Sequence, residues 1–152
     1  LLGYGKMGRA IETVLLERGH HVAARIDKDN RADLATLPRD AVDVVIEFSS
    51  PDAAADNVRA ALQRGWPVVS GTTGWEAERR NVANEVAANG GAFFWASNYS
   101  IGVNLFFRLN KVLARFMKNY PSYDISMEEI HHVHKKDAPS GTAVTLAEGV
   151  LE

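Results

Sequence analysis

The sequence contains no cysteine. That excludes disulfides and thiolate metal sites, and it fits a reducing compartment. Charge of one sign is also lacking. Seventeen Lys and Arg stand against nineteen Asp and Glu, a net charge of −2. Composition therefore gives no support to nucleic acid or an anionic membrane as partner. No apolar run approaches the roughly 18 residues of a membrane span, and nothing within the chain reads as a signal peptide. Internal repeats and low-complexity tracts are absent. What is present is 46% hydrophobic residues in a chain of 152, enough for a real core. That length predicts one domain, with the start of a second. The chain opens on Leu1-Leu2 and stops at Val150-Leu151-Glu152 inside a helical pattern. It therefore reads as a piece of a longer protein.

The first local signal is Leu1-Leu2-Gly3-Tyr4-Gly5-Lys6-Met7-Gly8. Two apolar residues end a buried strand, and Gly3, Gly5 and Gly8 then fit G-x-G-x-x-G. Ala10, Ile11, Val14 and Leu15 repeat at helical spacing, and Gly19 is a stop. In a dinucleotide site the first glycine permits the tight turn. The second lets a pyrophosphate approach the backbone, and the third lets helix and strand pack closely. The motif alone is weak, since a structural turn can carry the same glycines. Its context adds weight, because the next strand, Val22 to Ile26, ends in Asp27 about twenty residues further on. An acidic residue there binds ribose hydroxyls. Lys28 either meets a 2′-phosphate or is a solvated loop lysine, so the choice between NADH and NADPH stays open.

The alternation of strand and helix continues. Asp29 to Asp40 is polar and contains Pro38, so it reads as a loop or short irregular turn. Val42 to Phe48 is a near-continuous apolar strand of a parallel sheet. Ser49-Ser50-Pro51-Asp52 supplies an N-cap and a proline at the first helical position. A helix with Ala54, Val58, Ala61 and Leu62 follows and stops at Gly65. Pro67 to Ser70 is a strand running into Gly71-Thr72-Thr73-Gly74. A helix through Val82 and Val86 ends at Gly90-Gly91, and Ala92 to Ala96 is another strand. The pattern predicts an α/β fold, a Rossmann-type doubly wound parallel sheet. Ligands of such sheets sit at the C-terminal strand ends. Gly3 to Gly8, Asp27, Phe48-Ser49-Ser50, Gly71 to Thr73 and Ser97 to Ser100 all fall there, as the rim of one crevice.

Near residue 100 the character changes. Gly102 to Tyr120 is one long helical pattern whose apolar width predicts burial against a sheet or a partner subunit. Tyr123, Ile125 and Met127 alternate with Asp124, Ser126 and Glu128, which reads as a strand with one wet face. The dinucleotide domain is placed at 1–98. A smaller α+β substrate-binding and oligomerisation domain, incomplete at its C-terminus, is placed at 99–152.

The richest chemistry lies between Glu129 and Ala143, which holds three histidines, two lysines and a Pro-Ser-Gly-Thr helix start. His131 and Lys135 are four residues apart, so a tight loop aims both into one pocket. A His or Lys near neutral pKa can act as general acid. Ser140-Gly141-Thr142 begins a helix, where backbone N–H groups and the dipole hold a carboxylate. Two plainer readings compete: a zinc site built on the histidines, and a solvated basic loop. Neighbouring lysines repel a cation and no Cys completes the ligand set, so no metal is assigned. His20-His21 reads as a surface pair. Trp66, Trp75 and Trp95 read as core or rim packing.

Glu129-x-His131-His132-x-His134-Lys135-x-Asp137-Ala138-Pro139-Ser140-Gly141-Thr142-Ala143 resembles the signature of the 4-hydroxy-tetrahydrodipicolinate reductase (dihydrodipicolinate reductase) family. Gly3–Gly8, Glu47-Phe48-Ser49-x-Pro51, Gly71-Thr72-Thr73-Gly74 and Asn98 to Asn104 match further landmarks of that family in the same order. The resemblance covers the whole chain. Two departures stand out. Many members carry one more residue in the glycine turn, which shifts the pyrophosphate contacts by one position. The segment after Asp27 is also shorter than in many members. Members extend beyond both ends, and the C-terminal extension completes the second domain's sheet.

The resemblance implies reduction of a cyclic 4-hydroxy dicarboxylate to tetrahydrodipicolinate by NADPH or NADH, in lysine and diaminopimelate synthesis. It implies His131 as proton donor and acceptor, Lys135 as second proton donor, and His132, Ser140, Gly141 and Thr142 on the substrate. Cofactor contacts fall on Gly3, Tyr4, Gly5, Lys6, Met7, Gly8, Asp27, Lys28, Gly71, Thr72, Thr73, Ala96, Ser97, Asn98 and Tyr99. Asp137 orients the turn or a lysine, while His134 and Lys136 are solvated neighbours. The family further implies a cytoplasmic homotetramer. Two other readings stand beside it: a sugar or amino-acid dehydrogenase on the same fold, and a non-catalytic nucleotide-binding module.

Overall fold

A computed structural model describes residues 1–133, 135 and 138–151. The chain divides into two compact units, Leu1–Ala96 and Ser97–Glu152. In the first, three parallel strands lie in the order β1 (Val45–Glu47), β2 (Val68–Ser70), β3 (Phe93–Trp95). Leu2 bridges in parallel to both Ile26 and Glu47, so the chain start extends the sheet on the β1 side. The predicted strand at 22–26 contributes this bridge at Ile26, and the predicted strand at 42–48 narrows to Val45–Glu47.

Three helices alternate with the strands: α1 (Lys6–Glu17), α2 (Pro51–Gln63) and α3 (Glu76–Asn89). Gly19, Gly65 and Gly90 follow them with φ of 78°, 75° and 69°. Such left-handed conformations end helices cheaply only at glycine. The polar segment after Asp27 winds into two 3-10 turns, Lys28–Ala35 and Arg39–Ala41. The core joins Leu2, Ile26, Val45, Val58, Val68 and Val82 with Trp66 and Trp75. These are the apolar positions of the βα pattern. Two of the three tryptophans are thus core residues, while Trp95 is half-buried against the same cluster.

The second unit holds α4 (Ile101–Met117) and α5 (Gly141–Leu151). They meet where Gly149 leaves room for Lys111 and Asn110, and the Asn110 side-chain amide donates to the Leu146 carbonyl at 2.8 Å. The apolar face of α4 is not covered within the unit: Leu105, Phe106, Leu109, Leu113 and Phe116 are all more than half exposed. One expectation is corrected here: residues 123–128 do not form a strand. Alternation chooses which face of a strand is wet, but a strand exists only by exchanging backbone hydrogen bonds. Among the described residues none pairs with this segment. Likewise, no helix among them is long and apolar enough to cross a membrane.

Candidate functional site

The glycine turn in the first unit is held by backbone crowding. Gly3 has φ 86°, and a Cβ there would run into the Phe48 carbonyl. A Cβ on Gly8 would strike the Gly3 carbonyl. Gly5 is different: nothing lies within 4 Å of its Cβ position. It caps α1 without any side-chain bond, so the open face of the turn lies over the helix N-terminus. These are the shapes that a pyrophosphate on backbone amides needs. Asp27 ties this turn to the next loop. Its carboxylate accepts from the Tyr4 amide at 3.3 Å and from the Lys28 amide at 2.8 Å. Its own amide donates to Asn30 Oδ1 at 2.8 Å, which completes a capping box on the 3-10 turn. The Tyr4 side chain turns away along α1, where its hydroxyl donates to Glu12. Arg25 pairs with the same carboxylate and, with the Tyr4 hydroxyl, holds it below the usual range.

A cavity of about 310 Å³ opens beside the turn, lined by Gly3, Gly5, Asp27, Lys28, Arg31 and Ser49 among others. It brings together four of the expected cofactor contacts, Gly3, Gly5, Asp27 and Lys28, with the Phe48-Ser49-Ser50 rim. Arg31 and Asn57 escaped that reading. Arg31 Nε donates to Asn57 Oδ1 at 3.1 Å, and Asn57 Nδ2 donates to Ser49 Oγ at 3.2 Å. Asn57 is buried. That arrangement fixes a guanidinium at the cavity wall beside Lys28.

Behind the cavity lies the buried carboxylate of Glu47. It accepts from the Ser49 amide at 3.0 Å, the Ser49 hydroxyl, the Ser70 hydroxyl at 2.5 Å and the Thr72 hydroxyl at 2.8 Å. Thr72 is therefore turned inward by its side chain. Its carbonyl accepts from both Trp75 Nε1 and Trp95 Nε1 at 2.7 Å. Gly71 leaves space for the Phe48 ring. These loops are thus braced from inside, and Thr72, expected on the cofactor, takes part in that bracing through its side chain. The signal was a carboxylate at the end of an apolar strand, followed by hydroxyls at successive strand ends. A buried charge of that kind requires donors.

In the second unit, Ser97 Oγ pairs with Thr145 Oγ1 at 2.8 Å, and Asn98 Nδ2 donates to Thr142 Oγ1 at 3.4 Å. Both face α5 by their side chains. Tyr99 is exposed. Ser140 caps α5: its hydroxyl accepts from the Ala143 amide at 3.1 Å, and its carbonyl accepts from the Val144 amide at 2.9 Å.

Glu129 supplies the reciprocal partner. Its Oε1 accepts from the Ser140 amide at 2.8 Å and its Oε2 from the Ser140 hydroxyl at 2.7 Å. The same Oε2 lies 2.8 Å from His131 Nε2. His131 first, then the Ser140 hydroxyl and amide, hold the Glu129 carboxyl down at about 2. The expectation that Ser140 offers open donors to a ligand is thereby corrected. A carboxylate of the chain itself takes them, because a helix start attracts the nearest anion. The loop continues with the Lys135 amide donating to the His132 carbonyl at 3.1 Å. Lys135 is half-buried and His132 exposed. His134, Lys136 and Asp137 lie outside the described residues, and with them part of the histidine zinc reading. Among the described residues no three His, Asp or Glu cluster as metal ligands.

Residues 1–99 match the family described as dihydrodipicolinate reductase, N-terminus, and residues 102–152 that described as dihydrodipicolinate reductase, C-terminus. The 4-hydroxy-tetrahydrodipicolinate reductase of Christiangramia forsetii is 44% identical over 153 residues, covering 100% of this chain and 63% of its own length. That of Magnetococcus marinus is 45% identical over 121 residues, covering 79% of this chain and 43% of its own. That of Xanthomonas euvesicatoria is 45% identical over 108 residues, covering 71% and 44%. The chain thus spans less than two thirds of the length of these relatives.

Proposed function

The chain belongs to the dihydrodipicolinate reductase family, and from that premise we propose that its parent protein reduces 4-hydroxy-tetrahydrodipicolinate with NADPH or NADH, in lysine and diaminopimelate synthesis. The observation that carries the reading is the joint presence of two sites. One is the glycine turn, whose Gly5 is open above the α1 N-terminus while Gly3 is locked against Phe48. The other is the His131–Glu129–Ser140 linkage at a helix start.

In this reading bound NAD(P)H supplies the hydride. Gly3 to Gly8 hold the pyrophosphate on backbone amides, and Asp27 and Lys28 take the adenosine ribose. Gly71, Thr72, Thr73 and Ala96 to Tyr99 shape the nicotinamide end. The indirect contribution of Thr72 follows from its inward hydroxyl. Loss of the hydroxyl as water takes one proton to the leaving oxygen and gives one up from the adjacent carbon, and the hydride step then takes one more, so one proton is consumed overall; His131 is the donor and acceptor and Lys135 the second donor. His132, Gly141 and Thr142 hold the dicarboxylate. The assembled enzyme is a cytoplasmic homotetramer, and the exposed apolar face of α4 gives the second unit a surface to bury.

The test is NAD(P)H oxidation by the full-length parent, with the hydroxy dicarboxylate made in situ by a coupling enzyme. Turnover confirms the reading. Tight NADPH binding without turnover overturns it in favour of a nucleotide-binding module. Turnover only with a sugar or amino acid overturns it in favour of another dehydrogenase.

A further inference from the structure

The loop that carries the proton donor is tied to the start of α5 by one carboxylate. Glu129 stands two residues before His131 and eleven before Ser140, and it touches both. Its geometry decides a question that the family resemblance leaves open, namely which nitrogen of His131 handles the proton. An ionised carboxylate has lone pairs and no hydrogen, so it can only accept. With Oε2 at 2.8 Å from Nε2, the imidazole must place its hydrogen on Nε2. A neutral ring then carries its lone pair on Nδ1.

We infer that Glu129 is a positioning residue that fixes His131 as the Nε2–H tautomer, leaving Nδ1 as the nitrogen that exchanges protons with the substrate. The inference rests on the proposed reductase reading. Three observations support it. Oε1 is committed to the Ser140 amide and Oε2 also to the Ser140 hydroxyl, so the carboxylate cannot swing freely with the ring. Ser140 is itself fixed as the α5 cap and is buried. The linkage therefore fixes the ring relative to the helix start proposed to receive a substrate carboxylate. In the step, a proton on Nδ1 of the imidazolium passes to the substrate. The N–H bond electrons remain on Nδ1, and the neutral ring keeps its Nε2–H on Glu129. Solvent returns the proton to Nδ1 for the next turnover. Between residues 128 and 140 the other described titratable groups are Glu128, His132 and Lys135.

The variants Glu129→Gln and Glu129→Ala separate positioning from mere bracing. Glutamine keeps the shape and can accept from Ser140. It presents an NH₂ to Nε2, however, which forces the ring hydrogen onto Nδ1. We expect Glu129→Gln in the full-length enzyme to lower kcat at least roughly 10²-fold, with KM for NADPH unchanged. Its loss should equal or exceed that of Glu129→Ala, which leaves the ring free to choose. If Glu129→Gln recovers wild-type kcat while Glu129→Ala does not, Glu129 is only a brace and the inference is overturned. The ¹⁵N shifts of His131 in the unmodified protein provide a second reading that needs no variant. A protonated Nε2 in the neutral ring supports the assignment; a protonated Nδ1 overturns it. An unmodified enzyme without turnover overturns the reductase reading instead.

Discussion

The Thr72 hydroxyl donates to the buried Glu47 carboxylate at 2.8 Å, from a loop twenty-five residues away in sequence. Ser70 and Ser49 donate to the same group, so one carboxylate fastens the turns that follow β1 and β2. Glu47→Ala would leave several buried donors without an acceptor and open a cavity. The expected loss is about 3 kcal/mol of folding stability. Glu47→Gln keeps one acceptor and lets the hydroxyls rotate, so its loss should be smaller, on the order of 1 kcal/mol. Urea unfolding midpoints of the two variants, at unchanged m, check the ranking.

Gly3 and Gly5 are two residues apart and should fail differently. Gly3→Ala forces a side chain into φ 86° and into the Phe48 carbonyl. It should cost at least about 2 kcal/mol of stability. Gly5→Ala meets nothing within 4 Å at an ordinary φ of −78°. It should keep its melting temperature and yet bind dinucleotide at least roughly tenfold more weakly, since the new methyl stands where phosphate must approach. Thermal melts paired with NADPH fluorescence titrations separate the two effects.

Arg31 makes the choice between cofactors testable. The guanidinium is steadied by the buried Asn57 at 3.1 Å and lines the same cavity as Asp27 and Lys28. A 2′-phosphate there would meet two cations, whereas a ribose diol needs only the aspartate. Arg31→Ala should weaken NADPH roughly tenfold, about the loss of one charge-assisted contact, and leave NADH within twofold. Asn57→Leu should reproduce part of that shift through the freed arginine. The ratio of the two dissociation constants, measured at one fixed salt concentration, is the readout.

These three cases show where the sequence was readable. Gly3, Gly8, Gly19, Gly65 and Gly90 stand where the βα pattern placed turns and stops, because glycine reports local backbone geometry. The strands and helices of the first unit follow from apolar spacing for the same local reason. Glu47, Asn57 and Arg31 act across gaps of more than twenty residues, where periodicity carries no information. Residues 123–128 show the converse. Their alternation is real, yet a strand depends on a neighbour that local pattern does not supply. Glu129 stood in the motif but went unassigned, because its role emerges only once Ser140 is folded back onto it.

His131→Gln and Lys135→Ala test the proposed proton donors directly. Each should lower kcat at least roughly 10²-fold, the usual scale of an acid–base contribution. Neither residue lies in the unit that carries the glycine turn, so NADPH affinity should be preserved in both. Stopped-flow or steady-state kcat, beside a fluorescence Kd for NADPH, decides the matter. An equal loss of NADPH affinity in both variants would refute the role.

The Glu129 linkage also predicts an acid limit. Its carboxyl lies at about 2, against 4.5 for the free group. A folded-state pKa below the unfolded one means that the native state holds the proton less well. The stabilising contribution is therefore fully present above about pH 4.5 and is lost as pH falls through 2. Protonated His131 works in the same direction, since the cation keeps the carboxylate ionised. The Ser140 amide proton reports the bond, because Glu129 Oε1 accepts it at 2.8 Å. Its NMR shift should stay constant from pH 6 to roughly 4 and then titrate with a midpoint well under 4. In Glu129→Gln that titration should vanish. A midpoint near 4.5 in the unmodified chain would mean that neither Ser140 nor His131 holds the carboxylate in solution.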